Sequence, residues 1–375
     1  MKSESSWGKL DMKFKNVCRV INGRAYKLDE LLEKGKYPVL RVGNFFTNSE
    51  MLYSDLELES DKYCEDDDLL FAWSASFGPK IYRGPKSIYH YHIWKLQVDD
   101  SKADKYYLYY WLLNNVRRMQ AGGHGSVMAH ITKQDMENQE IDLPPLQLQK
   151  RIAGILKSLD EKMDNNAQIN KNLEQQIQEI FRSRFLTPGP SRDGWKKTTL
   201  ADVSLIGAGG DKPKTVSAVQ TTEYPYPIYS NGIRDEGLYG FSSGYKIEDE
   251  SITVSARGTI GYVCLRHRPY TPIVRLITLV PKKEIVSAKY LYLWLRNSKI
   301  LGTGTTQQQL TVPDFQKTEI VVPTAEEMNS FTDVVSPLFE TIWANQAENL
   351  KLANLRDILL PKLFSGELDI SNIEL

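Results

Sequence analysis

Hydrophobic and polar positions along the chain change period in the same order twice. Each half opens with short stretches rich in β-branched and aromatic residues between glycine and proline breaks, the composition of strands. Leu69 to Trp73 and Ile88 to Val98 are predicted strands of the first half, and Ser251 to Ser255 and Ile273 to Val280 of the second. A Tyr-rich helix follows in each, holding Tyr107, Tyr109 and Trp111, then Tyr290, Tyr292 and Trp294, whose rings are assigned to packing. Next come a glycine-rich loop, a strand ending in proline and a long stretch of helical period. The first long helix is predicted from about Leu146 to Leu186, between the start signal Pro144-Pro145 and the stop signal Thr187-Pro188-Gly189-Pro190. At 1.5 Å per residue, about 40 residues reach roughly 60 Å. The second opens at Thr324, whose three-residue spacing to Glu327 reads as a capping box. Pro337 should kink this helix and Pro361 end it.

The order repeats because the sequence does. Ile141-Asp142-Leu143-Pro144 returns 179 residues later as Ile320-Val321-Val322-Pro323, and the same offset relates Thr132 to Thr311 and Asp135 to Asp314. Upstream the offset drifts, as loop insertions would make it, to 183 for Tyr107, Tyr109 and Trp111 and to 188 for Trp7 and Trp195. A long internal period is a statement about architecture. The predicted fold class is α+β, with two similar α/β domains at 1–145 and 187–323, a central long helix at 146–186, and a distal long helix and tail at 324–375. The two domains would be separated by the two long helices packed as an antiparallel coiled coil, with an internal pseudo-twofold, cyclic symmetry.

Heptad arithmetic supports the pairing. Ile152, Leu156, Leu159, Met163, Asn166, Asn170, Leu173, Ile177 and Ile180 fall at alternating spacings of four and three, the seam of a coiled coil. The offset of 179 converts them to Phe331, Val335, Leu338, Ile342, Asn345, Asn349, Leu352, Arg356 and Leu359, with Ile177 against Arg356 the one mismatch. Asparagine in a seam costs stability but can fix register, because its amide must find a partner. Antiparallel packing would bring Asn166 to Asn349 and Asn170 to Asn345; the alternative is that all four face solvent.

Composition narrows the function. Forty-one per cent hydrophobic residues give ample core, and 47 basic residues balance 47 acidic ones, so any contact with nucleic acid must be local rather than a bulk electrostatic coat. Cys18, Cys64 and Cys264 are odd in number and far apart, as expected of a reducing compartment. The polar N-terminus lacks the apolar segment of a secretory signal, and no run approaches the roughly 20 apolar residues of a membrane span, so a cytoplasmic protein without membrane contact is expected.

Two readers carried by one chain at a fixed separation would recognise two half-sites with an unread gap. The segment Leu143-Pro144-Pro145-Leu146-Gln147-Leu148-Gln149-Lys150-Arg151-Ile152, with Leu159-Asp160-Glu161-Lys162, resembles the central conserved region of type I restriction-modification specificity subunits. Leu360-Pro361-Lys362-Leu363-Phe364-Ser365-Gly366-Glu367-Leu368 resembles their distal conserved region, and Trp7 with Leu10 and Trp195 with Leu200 resemble the opening of each target-recognition domain. The resemblance implies a non-catalytic subunit that reads an asymmetric bipartite site in double-stranded DNA. It further implies two methyltransferase subunits bound through the conserved helices, and restriction subunits joining them. S-adenosylmethionine, ATP and Mg would sit on those partners, with no cofactor on this chain. A stand-alone bipartite DNA-binding regulator is the alternative, and a third reading is an enzyme with His124 or His130 in a site formed between the halves.

Candidate DNA contacts follow from residue chemistry at strand ends and loops. In the first domain they are Trp73, Ser74, Ser76 and Lys80 around a strand-to-turn junction, His90 and His92 on one face of an alternating strand with Tyr89 and Tyr91 on the other, and His124 and Ser126 in a glycine-rich loop. In the second they are Asn231, suited to adenine, Arg234, the turn Ser255, Arg257 and Thr259, and the loop residues Thr305, Thr306, Gln307 and Gln308. Core packing competes for the aromatic residues and surface ion pairing for the arginines. Cys64 with His90 and His92 lacks the paired spacing of a zinc site, and Gly207-Ala208-Gly209-Gly210 lacks the context of a cofactor fingerprint.

Overall fold

The computed structural model describes residues 10–47, 49–74, 76–121, 131–187, 192–300, 309–368 and 370. They form two compact units, Met1–Asn166 with Ala347–Leu375, and Ala167–Gln346. In the first unit the strands are β1 (Leu10–Lys13), β2 (Cys18–Asn22), β3 (Tyr37–Leu40), β4 (Leu52–Ser54), β5 (Tyr63–Cys64), β6 (Leu69–Ser74), β7 (Ser76–Ile81), β8 (Ser87–Tyr89), β9 (Ile93–Val98) and β10 (Glu140–Leu143). The helices α1 (Val42–Phe46), α2 (Lys105–Ala121) and α3 (Lys133–Glu137) lie among them, and α4 (Leu146–Phe181) follows. In the second unit come β11 (Lys196–Thr199), α5 (Leu200–Val203), β12 (Ser204–Ala208), β13 (Tyr226–Tyr229), β14 (Leu238–Ser242), β15 (Ser251–Val254), β16 (Val263–Arg266), β17 (Thr271–Pro272) and β18 (Ile277–Pro281). It continues with α6 (Ala288–Asn297), α7 (Val312–Phe315), β19 (Glu319–Val322) and α8 (Ala325–Ser365).

Topology repeats more faithfully than sequence. One sheet has the order β2-β9-β6-β7 in the first unit and β12-β18-β15-β16 in the second. A second sheet is β4-β3-β8-β5 in one and β14-β13-β17 in the other, each built on a parallel pair, β3 with β8 and β13 with β17. A third, two-stranded piece joins β1 to β10 and β11 to β19. The residues that repeat at an offset of 179 cap equivalent short helices: Asp135 N–H donates to Thr132 Oγ1 at 3.1 Å and Asp314 N–H to Thr311 Oγ1 at 3.3 Å.

Each long helix gives its first half to one unit and its second half to the other. In the first unit, α4 and α8 close a core that includes Phe14, Trp94, Tyr107, Leu156 and Leu363; in the second, one that includes Phe181, Phe185, Tyr290, Phe331 and Phe339. Aromatic side chains of this size dominate core energetics, and fully burying one contributes about 1.5–3 kcal/mol. Between Leu159 and Ile177, burial on α4 follows the seam: Met163, Asn166, Asn170 and Leu173 are buried or half-buried, and most positions between them are exposed. The amide of Asn166, only 1% exposed, donates to Asn349 Oδ1 at 2.9 Å and to Glu348 Oε2 at 2.7 Å, while Asn349 donates back to the Met163 carbonyl at 3.1 Å. In the second unit Asn345 donates to Asn170 Oδ1 at 2.8 Å, and Asn170 to the Ile342 carbonyl at 3.3 Å. Rising numbers on one helix meet falling numbers on the other, so the helix halves within each unit are antiparallel.

The seam mismatch has a chemical partner. Arg356 Nη1 donates to Asp160 Oδ1 at 2.9 Å, and the Tyr110 hydroxyl donates to Asp160 Oδ2 at 2.6 Å. The repeat places Ile177, Phe339 and Leu293 at the matching positions of the second unit, all buried in its core. One unit thus holds hydrocarbon where the other holds a hydrogen-bonded ion pair.

Three expectations need correction. Ile88 to Val98 is not one strand: β8 and β9 belong to different sheets, and His90–His92 turn between them, so Tyr89 is fully buried while Tyr91 is 40% exposed and the proposed sharing of faces fails. Ile273 to Val280 breaks in the same place, with a turn at 273–276 preceding β18. Both turns need a close approach from a glycine just past a distant strand, β2 or β12: a Cβ on Gly23 would overlap the carbonyl oxygens of Tyr89 and His90, and one on Gly209 would lie 2.7 Å from Ile273 N. Finally, α8 continues beyond Pro361 to Ser365, where Gly366 at φ 78° ends it. Burial of Leu363 and a ring contact of Phe364 with Tyr107 at 4.8 Å outweigh the proline penalty.

Replacing Arg356 by leucine strands the partly buried Asp160 and should cost roughly 2–3 kcal/mol in chemical denaturation. Converting all three residues, Arg356→Ile, Asp160→Phe and Tyr110→Leu, should recover most of that loss. A triple variant no more stable than the single one would contradict the equivalence. Gly23→Ala and Gly209→Ala should each lower stability by about 1–3 kcal/mol through overpacking against backbone, and wild-type unfolding midpoints would show the approach to be relaxed.

Candidate nucleic-acid interface

In the first unit, the end of β6 and the turn from β8 to β9 gather aromatic and imidazole rings. Trp73 Nε1 donates to the Tyr91 carbonyl at 2.8 Å, and its ring meets His92 edge-on at 5.1 Å and stacks on Trp94 at 5.6 Å. His90 and His92 are 4.8 Å apart, with Tyr91 against both. Burial, reinforced by His92 and Arg41, pushes the His90 pKa down to about 4, and burial also lowers that of His92. Both imidazoles are therefore neutral at pH 7, each with one donor and one acceptor nitrogen. Ser74 is half-buried at the end of β6, opposite Ser76 in the β6–β7 hairpin. Lys80 points elsewhere: its Nζ donates to the Phe45 carbonyl at 2.9 Å and lies over the Phe45 ring, which anchors α1.

The second unit builds the same end from other residues. Asn231 bridges two loops, its Nδ2 donating to the Val274 carbonyl and its Oδ1 accepting from Ala256 N–H, both at 2.7 Å. One N–H and one oxygen lone pair of its amide are thereby engaged with backbone. Ser255 is buried and accepts from Gly232 N–H at 3.4 Å. Arg257 and Thr259 are exposed in the β15–β16 turn, and Arg257 Nη2 donates to Gln309 Oε1 at 3.4 Å. The side chain of Arg234 is 96% exposed, with Asp235 at 3.7 Å. Asn231, Ser255 and Arg257 thus come together around one amide, with Arg234 farther along the loop that follows Asn231, and Trp73, His90 and His92 around one turn. His124, Ser126, Thr305, Thr306, Gln307 and Gln308 lie outside the described residues, as does the side chain of Ser76.

Sequence reasoning missed Arg275, exposed beside Val274, because it falls inside a run that reads as strand. The signal was there in the repeat: Arg275 stands 183 residues after His92. Among the described residues, no group of three or more His, Cys, Asp or Glu could hold a metal ion, and no helix is long and apolar enough to cross a membrane. Burial pushes the Cys264 thiol up to about 11 and that of Cys64 to about 12, which leaves both unreactive.

Comparison with known proteins gives this arrangement a family. The family described as type I restriction modification DNA specificity domain matches residues 7–175 and again 192–354. A Mycoplasma pneumoniae chain named as a type I specificity subunit is 28% identical over 338 residues, covering 89% of this chain and 90% of that one. The specificity subunit of the type I restriction enzyme EcoBI from Escherichia coli is 22% identical, covering 97% of this chain and 86% of that one. The crystal structure of a type I restriction-modification S subunit from M. genitalium superposes with a TM-score of 0.66 at 17% identity, covering 99% of both chains, and shares the fold. With the family's domain present twice, on duplicated units of one topology, this chain belongs to the type I restriction-modification DNA specificity subunits.

Proposed function

We propose that each unit reads one half of an asymmetric, two-part sequence in double-stranded DNA, and that the chain performs no chemistry itself. The observation that carries the reading is one strand-end platform built twice and finished with different side chains. Neutral imidazoles beside Trp73 and Tyr91 offer hydrogen-bonding edges and apolar faces, suited to base edges and the thymine methyl group. Arg234 and Arg257 offer guanidinium forks matched to guanine O6 and N7. Platforms of different chemistry select different bases, so the two half-sites differ.

Partners supply the rest in this reading. Two methyltransferase subunits dock on the long helices, where Leu350, Leu355 and Ile358 leave apolar surface exposed on α8, and restriction subunits complete the assembly. S-adenosylmethionine, ATP and Mg belong to those subunits, and the complex works on cytoplasmic DNA. A formal charge of zero fits a chain that depends on partners for much of its hold on phosphate.

Sequencing the methylome of the host with and without this gene tests the proposal. Loss of one bipartite methylated motif, with unlike halves, is expected on deletion. A Trp73→Ala/His92→Ala double variant should relax or abolish recognition of one half-site while the other is still required. An unchanged methylome, or methyl transfer by the isolated chain, would overturn the reading.

A further inference from the structure

We propose that the turn at 273–276 is a base-reading element of the second unit, and that Arg275 at its tip determines specificity for one guanine. The inference rests on the DNA-reading function above and adds to it a residue and the means by which that residue is presented.

Val274 and Arg275 have φ of 52° and 59°, the left-handed region that L side chains avoid. Two consecutive residues persist there only when their surroundings fix them, and such strain gathers at functional sites. Here the surroundings do so through four contacts. Val274 N–H donates to the Gly210 carbonyl at 2.9 Å and Arg275 N–H to the Gly209 carbonyl at 2.8 Å. Asn231 grips the Val274 carbonyl from the other side, and Gly209 has no room for a Cβ against Ile273. A turn that only joined β17 to β18 would be relieved by glycine at 274 and 275. Instead the glycines lie one layer beneath, and the strained positions carry two exposed side chains. The Arg275 guanidinium has no partner among the described residues.

The neighbouring loops are latched to the same place. Asn231 also binds Ala256, which brings the turn carrying Arg257 against the turn carrying Arg275. The loop bearing Arg234 is held by the buried Arg266, whose guanidinium donates to Glu236 Oε2 at 3.0 Å, to the Glu236 carbonyl at 2.6 Å and to Thr253 Oγ1 at 3.0 Å, and lies 3.6 Å over the Tyr229 ring. Arg266 is thus a positioning residue, while Arg234, Arg257 and Arg275 point outward from fixed backbone.

The first unit builds the corresponding turn without left-handed residues and holds it by part of the same latch. Tyr91 N–H donates to the Arg24 carbonyl at 3.0 Å, the counterpart of Val274 to Gly210, and Trp73 grips the Tyr91 carbonyl as Asn231 grips that of Val274. His92 then occupies the place of Arg275. One scaffold presents a half-buried imidazole in one unit and an exposed guanidinium in the other, the variation a reading position requires.

The test uses the full complex with its methyltransferase subunits, on duplexes in which each position of the second half-site carries each of the four bases. Arg275→Ala should lower methylation of the parent site roughly 10- to 100-fold and erase the preference for guanine at one position of that half-site only. Arg275→Lys should not restore it, because an ammonium cannot form the fork. Arg275→Gly should lose the same preference although its melting temperature is no lower than the parent's, which separates reading from folding. Parent base preference in Arg275→Gly, equal loss at both half-sites, or a uniform weakening at every sequence would overturn the proposal. If deletion of the gene removes no bipartite motif, the proposed function falls as well; a motif unaltered in the Arg275 variants removes this inference alone.

Discussion

An amide buried between two helices must be answered by the facing helix, and this chain meets that constraint once in each unit. Asn166 with Asn349, and Asn170 with Asn345, close their hydrogen bonds across the seam. A slip of one heptad would set these amides against residues such as Ile342 or Arg356, and an unsatisfied buried amide costs about 1–3 kcal/mol. Leucine at these positions would bind more strongly and discriminate less. Because each unit is assembled from the first half of one helix and the second half of the other, correct register is a condition for either core to close.

Within that frame the two units have diverged without losing topology. The set Arg356, Asp160 and Tyr110 in one and Ile177, Phe339 and Leu293 in the other solve one packing problem with opposite chemistry. The reading ends diverge in the same manner, with rings and neutral imidazoles against guanidinium groups, while one backbone contact that holds each turn, Tyr91 N–H to the Arg24 carbonyl and Val274 N–H to the Gly210 carbonyl, remains equivalent. Conserving the latch and varying what it presents lets one fold serve different sequences, which is the task of a specificity subunit.

The α+β class and the duplicated plan were legible in the sequence because they rest on period and repetition: the 179-residue offset, which relates Thr132 and Asp135 to Thr311 and Asp314, and the four-three spacing of the seam are both carried by residue order alone. The broken strands were not. Tyr89-His90-Tyr91-His92 and Ile273-Val274-Arg275-Leu276 hold no glycine or proline, so they read as strand; the glycines that allow each turn, Gly23 and Gly209, lie more than sixty residues upstream. His90 and His92 were therefore singled out through an alternation that does not exist, and Arg275 was hidden inside a supposed strand. Asn231 shows the opposite limit, since its amide chemistry was visible but its commitment to Val274 and Ala256 depends on contacts far away in the chain.

The register of the helix halves can be measured directly by cross-linking, because Cys18, Cys64 and Cys264 are all buried and give little background. Cysteines at 166 and 349 should be joined within one chain by a short bifunctional thiol reagent, and cysteines at 170 and 345 likewise. Cysteines at 166 and 356, displaced by a heptad, should not be joined. Equal yields from the matched and displaced pairs, or cross-links only between separate chains, would contradict the account.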